Sequence, residues 1–187
     1  MADMTNVMID LETLGTSPGC AILSVGAVQF GLGGLGLEFY AELHLASVLK
    51  AGCLVDARTL AWWVDQSKHD DLIARCTKFG VAPAFVLSEF CDFIDRSGGN
   101  QVRVWSNGAS FDLPILGSAF KTFGYDDVPW KYYNERCYRT LASQWWPLVP
   151  DDIREQPDHN ALGDAKRQAA HVVAILRALK DTRGFCM

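Results

Sequence analysis

The chain has 187 residues, a hydrophobic fraction of 49% and a formal net charge of −5. That length suits one domain over residues 1–187 with a buried core, and that hydrophobicity excludes a disordered chain. The negative balance excludes a protein that coats long duplexes through many phosphate contacts.

Residues 1–10 are polar and acidic and do not read as a secretory signal. Val7, Ile9 and Leu11 alternate with Met8, Asp10 and Glu12, the period of a strand with two different faces. A turn rich in Thr, Gly, Ser and Pro follows over 13–19, then an apolar strand over 21–30. Gly31, Gly33, Gly34 and Gly36 turn the chain into a third strand over 37–43. Three strands with short links predict an antiparallel meander. No charged residue lies between Glu12 and Glu38, a length that could cross a bilayer. Its seven glycines, Pro18 and Gln29 fit two strands and their turns better, so no membrane partner is expected.

The middle of the chain reads as helical, with short helices over 57–65 and 70–78. A longer helix over 83–96 carries Val86, Leu87, Phe90, Phe93 and Ile94 on one stripe. Residues 102–106 form a short strand. Ser110 can cap a helix running to about Phe123, with Ile115, Leu116, Ala119 and Phe120 turned inward. Residues 131–138 supply a fifth strand. Asn160 or Asp158 caps the last long helix, whose stripe is Leu162, Ala165, Ala169, Val172, Val173, Leu176 and Leu179. Strands first, then strands alternating with helices, predict an α/β fold with a mixed sheet and helices packed on it.

Two patterns are set aside on physical grounds. The six cysteines are scattered without a C-x-x-C pair, which points to idle thiols in a reducing cytoplasm and not to zinc or disulfides. The glycines at 31–36 satisfy G-x-G-x-x-G, with Asp56 beyond them. A dinucleotide fingerprint must open a helix, however, and 37–43 alternates as a strand.

The chemistry lies in acidic residues. Asp10 and Glu12 are two apart on a strand, so both side chains point to one face, where two carboxylates repel each other unless a cation joins them. Asp112 falls in the first turn of a helix that follows a strand, where free N–H groups favour an ionised carboxylate and open α/β sheets gather ligands. Asp164 starts the last helix. His159 precedes it by five residues on a loop, from which an imidazole can swing over a site. His44, His69 and His171 read as surface or capping residues.

M-I-D-L-E-T at 8–13, S-F-D at 110–112 and H-N-A-L-G-D-A at 159–165 together resemble the three motifs of the DEDD exonucleases. The His-x4-Asp spacing resembles the histidine subfamily, which includes ribonuclease T, oligoribonuclease and the proofreading subunit of a bacterial replicase. The likeness covers about residues 6–180. It implies a ribonuclease H-like fold with a five-stranded mixed sheet, and 3′-5′ removal of nucleoside 5′-monophosphates with two divalent ions, Mg2+ or Mn2+. It further implies that Asp10, Glu12 and Asp164 hold the first ion, that Asp10 bridges to the second, and that Asp112 supports the second. His159 would be the general base. Such a mechanism agrees with physics: two ions serve both ends of an in-line displacement, hard ions want oxygen ligands, and an imidazole takes a proton near pH 7.

The expected substrate is the 3′ end of single-stranded DNA or RNA. Backbone groups of Thr13, Leu14 and Gly15 with one apolar side chain, the ring of Phe111, and Trp62 or Trp63 are the candidate contacts; adjacent tryptophans usually send at least one ring to the core. Trp145, Trp146 and Pro147 are either a partner surface, since relatives often work as dimers, or part of the core. A catalytically silent subunit that binds strand ends, and an endonuclease or phosphomonoesterase on the same fold, are the competing readings. Metal-dependent nucleotide release separates the first from an exonuclease, and a blocked 3′ end separates the second.

Overall fold

The computed structural model describes residues 5–66, 71–154 and 159–184. A five-stranded sheet has the order β3-β2-β1-β4-β5, built from β1 (Asn6–Thr13), β2 (Ile22–Gly31), β3 (Gly34–Glu42), β4 (Arg103–Ser106) and β5 (Glu135–Cys137). The first three pair antiparallel, as the meander predicts, while β4 and β5 run parallel to β1. The sheet is therefore mixed, with β1 at its centre. The glycine-rich segment is a hairpin in which Gly31 pairs with Gly34, so a strand follows it and no helix opens there.

The two faces of β1 feed separate cores. Val7, Ile9 and Leu11 join a cluster with Val86, Leu87, Phe90 and Phe93 of α4 (Pro83–Arg96) and Ile115, Leu116 and Phe120 of α5 (Asp112–Thr122). Met8 joins Trp105, Tyr138 and Ala142 of α6 (Tyr138–Trp145) and Ala165, Ala169, Val172 and Val173 of α7 (Ala161–Gly184). Two helical layers thus cover the sheet, and α7 lies across β1, β2 and β3. Three short helices follow the meander, α1 (Leu45–Lys50), α2 (Ala57–Gln66) and α3 (Leu72–Lys78), and set Val48, Trp63 and Leu72 in the larger core. Among the described residues no helix is long and apolar enough to cross a membrane.

Several local expectations are corrected. Ser110 does not cap α5: Phe111 occupies the cap without a side-chain bond. The segment expected as one strand over 131–138 is a 3-10 turn (Tyr132–Asn134), the three residues of β5, and the start of α6. On α7 the fully covered positions include Ala161, Gln168, His171 and Ile175, while Leu162, Leu176 and Leu179 are half-buried. His171 is no surface residue. It is fully buried, its Nε2 donates to the Ile153 carbonyl at 2.6 Å, and its Nδ1 lies 2.7 Å from the Tyr138 hydroxyl, which donates to it. Burial depresses its pKa, so the ring is neutral. His44 caps α1 by position and bonds Ser47, and His69 lies outside the described residues.

Candidate active site

Asp10 and Glu12 project from the face of β1 that α7 covers. Directly across the antiparallel pair from Asp10 is Gly26. A Cβ on Gly26 would fall 2.2 Å from the backbone of Ala161 and Leu162, so only glycine lets the first turn of α7 settle this close to the sheet. Asn160 fixes that turn, accepting the Gly163 N–H on Oδ1 at 2.9 Å. Asp164, one turn in, is thereby delivered to β1. Oxygens of Asp10, Glu12 and Asp164 lie within 4.8 Å of one another.

Asp112 reaches the same place from the other side. The pairing of β4 with β1 ends at Met8 and Trp105, which opens the sheet level with Asp10 and Glu12. Leu11 N–H, between the two acids, donates across this opening to Asp112 Oδ1 at 3.2 Å. Asp112 is 2% exposed. Burial pushes its carboxyl up to about 7, against the pull of the Leu11 N–H and the Arg139 guanidinium. Arg139 also grips the loop before Asp112, donating to the Asn107 carbonyl at 3.0 Å and to its side-chain oxygen at 3.3 Å. Asp10 is raised well above the ordinary carboxylate range, first by burial, then by the Asp112 charge, with the Asp164 charge adding to it. Gln168 and Arg167 oppose that rise. Such a cluster stores repulsion that a cation would relieve.

Gln168 and Arg167 are the residues that sequence reasoning missed. Gln168 Nε2 donates to Asp10 Oδ1 at 2.8 Å. Arg167 donates to Asp164 Oδ1 through two nitrogens, at 2.5 and 3.2 Å. A signal for Gln168 was available: it is the polar residue one turn beyond Asp164 in the small apolar stripe Ala161, Ala165 and Ala169. Gly26 could be found only from the packing.

His159 stands outside the three-carboxylate cluster. It is exposed, has a φ of 56°, and sets its ring edge-on to Trp62 at 4.9 Å between centroids. The residues expected to meet substrate divide into frame and surface. Trp63 is 3% exposed and donates its indole N–H to the Thr13 carbonyl at 2.9 Å, whereas Trp62 is 39% exposed. Leu14 is buried and joins the larger core. Its carbonyl is taken by Asp56 N–H, and Thr13 Oγ1 bonds the Gly15 carbonyl. A Cβ on Gly15 would lie 2.6 Å from that of Cys20, so the 13–15 rim is tightly set. Phe111 is half-buried against the larger core.

Residues 5–176 match the family model described as the 3′-5′ exoribonuclease Rv2179c-like domain. The chain belongs to that family. It is accordingly a hydrolase, a 3′-5′ exonuclease of the DEDD group. The exodeoxyribonuclease of Enterobacteria phage T4 is 24% identical to it over 161 residues, covering 73% of this chain and 70% of the phage protein. Among solved structures, exonuclease X in complex with 5′ overhanging duplex DNA superposes with a TM-score of 0.57 at 15% identity, over 92% of each chain. The Mg2+ and Mn2+ bound form of Pop2p from S. pombe gives 0.60 at 14% identity, over 92% of this chain and 82% of that one. These likenesses establish the ribonuclease H-like fold.

Proposed function

We propose that this family member is a metal-dependent exonuclease that removes nucleoside 5′-monophosphates from the 3′ end of single-stranded RNA or DNA. The observation that carries the reading is the convergence of Asp10, Glu12 and Asp164 within 4.8 Å, with buried Asp112 tied to the strand between the first two. This donor set fits hard divalent ions, because it offers carboxylate oxygens and no thiol. Asp10, Glu12 and Asp164 would hold one Mg2+ or Mn2+, and Asp10 with Asp112 would hold a second. When bound, the ions supply charge relief to the phosphodiester and a more acidic water.

The chain's own groups do the rest. His159 takes the proton of the attacking water, and Trp62, beside it, offers an exposed indole face to the terminal base. Backbone groups of Thr13, Leu14 and Gly15 form the rim against which that nucleotide is seated, held from behind by Trp63. Phe111, half-buried next to Asp112, is a further aromatic contact for the terminal nucleotide. The family description speaks for RNA and the phage relative's name for DNA. In this reading the enzyme is cytoplasmic, and the exposed Trp145 and Trp146 are where a homodimer would meet if one forms.

The test is a time course on matched RNA and DNA oligomers, single and double stranded, with and without EDTA and with a blocked 3′ end. Mononucleotide products that vanish with EDTA, return with Mn2+ and stall at the block are expected. Activity indifferent to chelation would overturn the metal reading, and internal cleavage of the blocked strand would overturn the exonuclease reading of the substrate.

A further inference from the structure

We infer that Gln168 is a positioning residue for the metal site: its amide fixes the orientation of Asp10 and leaves an acceptor for an O–H group that enters with the ion. This rests on the metal-dependent reading above.

Three of the four acids of the site, the aspartates, have one oxygen already engaged by the protein. Leu11 N–H holds Oδ1 of Asp112, Arg167 holds Oδ1 of Asp164, and Gln168 Nε2 holds Oδ1 of Asp10. In each case the other carboxylate oxygen is left out of the bond that orients the group. Asp10 depends on this most. It stands on a strand between two other acids that repel it, so without a donor its carboxylate would rotate away from the charges that the ion needs it to face. Gln168 is 1% exposed on α7, one turn beyond Asp164. Its Oε1 is also buried, with no partner among the described residues. An unsatisfied buried amide oxygen costs about 1–3 kcal/mol. A residue kept for packing alone would be served better by leucine or methionine. An O–H donor, such as a water carried by the ion, would satisfy it.

Gln168 also allows a cleaner test than Arg167, because replacing it changes no charge. Orienting partners of metal ligands are typically worth about 10- to 100-fold in metal affinity. Mn2+ is titrated calorimetrically into the metal-free full chain and its Gln168→Leu and Gln168→Met variants, with melting temperatures recorded alongside. The positioning role predicts a Mn2+ dissociation constant raised about 10- to 100-fold in whichever variant folds. The melting temperature of the metal-free variant stays within a few degrees of wild type. The Mn2+ needed for half-maximal activity rises in parallel, while KM for the oligonucleotide at saturating metal is unchanged. Unaltered Mn2+ affinity in a folded variant overturns the inference, as does a loss of melting temperature with affinity intact. A wild-type chain that binds no Mn2+ sinks the metal reading itself, a separate and recognisable failure.

Discussion

Four carboxylates brought to β1 by α5 and α7 oppose folding unless something compensates them, and that conflict makes single-residue tests informative. Asp10→Ala or Asp164→Ala should lower hydrolysis by more than about 100-fold, since even partners that only orient a metal ligand are worth 10- to 100-fold. The metal-free fold of Asp10→Ala should be unharmed or firmer, because one repelling charge is gone, whereas Asp164→Ala also leaves Arg167 without its partner and should cost some stability. Circular dichroism and melting of each variant check this; a collapsed variant would give the acid a structural role. His159→Ala should lose about 100- to 10,000-fold in rate, the range for a general base, and keep its Mn2+ affinity. Unchanged turnover would remove His159 from the chemistry. Asp112 adds a pH dependence. Its folded pKa of about 7 lies above the ordinary value of 3.8, so the folded state holds this proton more tightly than the unfolded chain. The stability it contributes is complete in acid below 3.8 and is lost as the pH rises through about 7. The metal-free protein should therefore melt progressively lower across that window, and Asp112→Asn should flatten the slope. A wild-type slope that Asp112→Asn leaves intact would assign the effect to other groups.

At the scale of elements, the site exists because one helix is allowed unusually close to one pair of strands. Gly26→Ala would drive a methyl group into the backbone of Ala161 and Leu162, where a Cβ has only 2.2 Å. Backbone cannot step aside as a long side chain does. The variant should lose about 1–3 kcal/mol or more of stability, and it should lose activity out of proportion, because Asp164 travels with the first turn of α7. Thermal melts paired with rates check this, and full activity would show that α7 repacks without cost to the site. The same comparison explains what could be read in advance. The alternation of β1 and the start of α7 are local, so the strand carrying Asp10 and Glu12 and the helix carrying Asp164 were legible, and the motif resemblance marked the three acids. The helix over 83–96 was legible for the same reason, with its proline start and apolar stripe. Residues 131–138 were not, because three residues of strand between a 3-10 turn and a helix carry no period long enough to recognise. His171 was misplaced because its two partners, Tyr138 and Ile153, come from segments that only the tertiary fold brings to α7. Gly26 shares that property: it acts through a contact with the first turn of α7 that has no echo in its own neighbours.

For the whole molecule, the question is how a chain with a net charge of −5 holds a polyanion. Three of its acids cluster where α7 meets β1, with Asp112 beside them, and divalent ions there would turn a repelling site into one that attracts phosphate. Among the described residues, acidic pairs such as Asp126 with Asp127 and Asp151 with Asp152 face solvent, and Lys166 is paired with Glu38. Attraction should then be confined to the last few phosphates of a strand. Binding releases counterions in proportion to the phosphates neutralised, with a slope of about −0.7 per phosphate for single strands. A grip on two or three phosphates predicts that log KM for an oligonucleotide rises with log salt at a slope of only about 1.4–2. That slope should not grow as the strand is lengthened from a short oligomer to a long one, at saturating Mn2+. A steep slope that increases with strand length would mean that the chain runs along nucleic acid through a basic surface, and the picture of an enzyme that grips only an end would have to be abandoned.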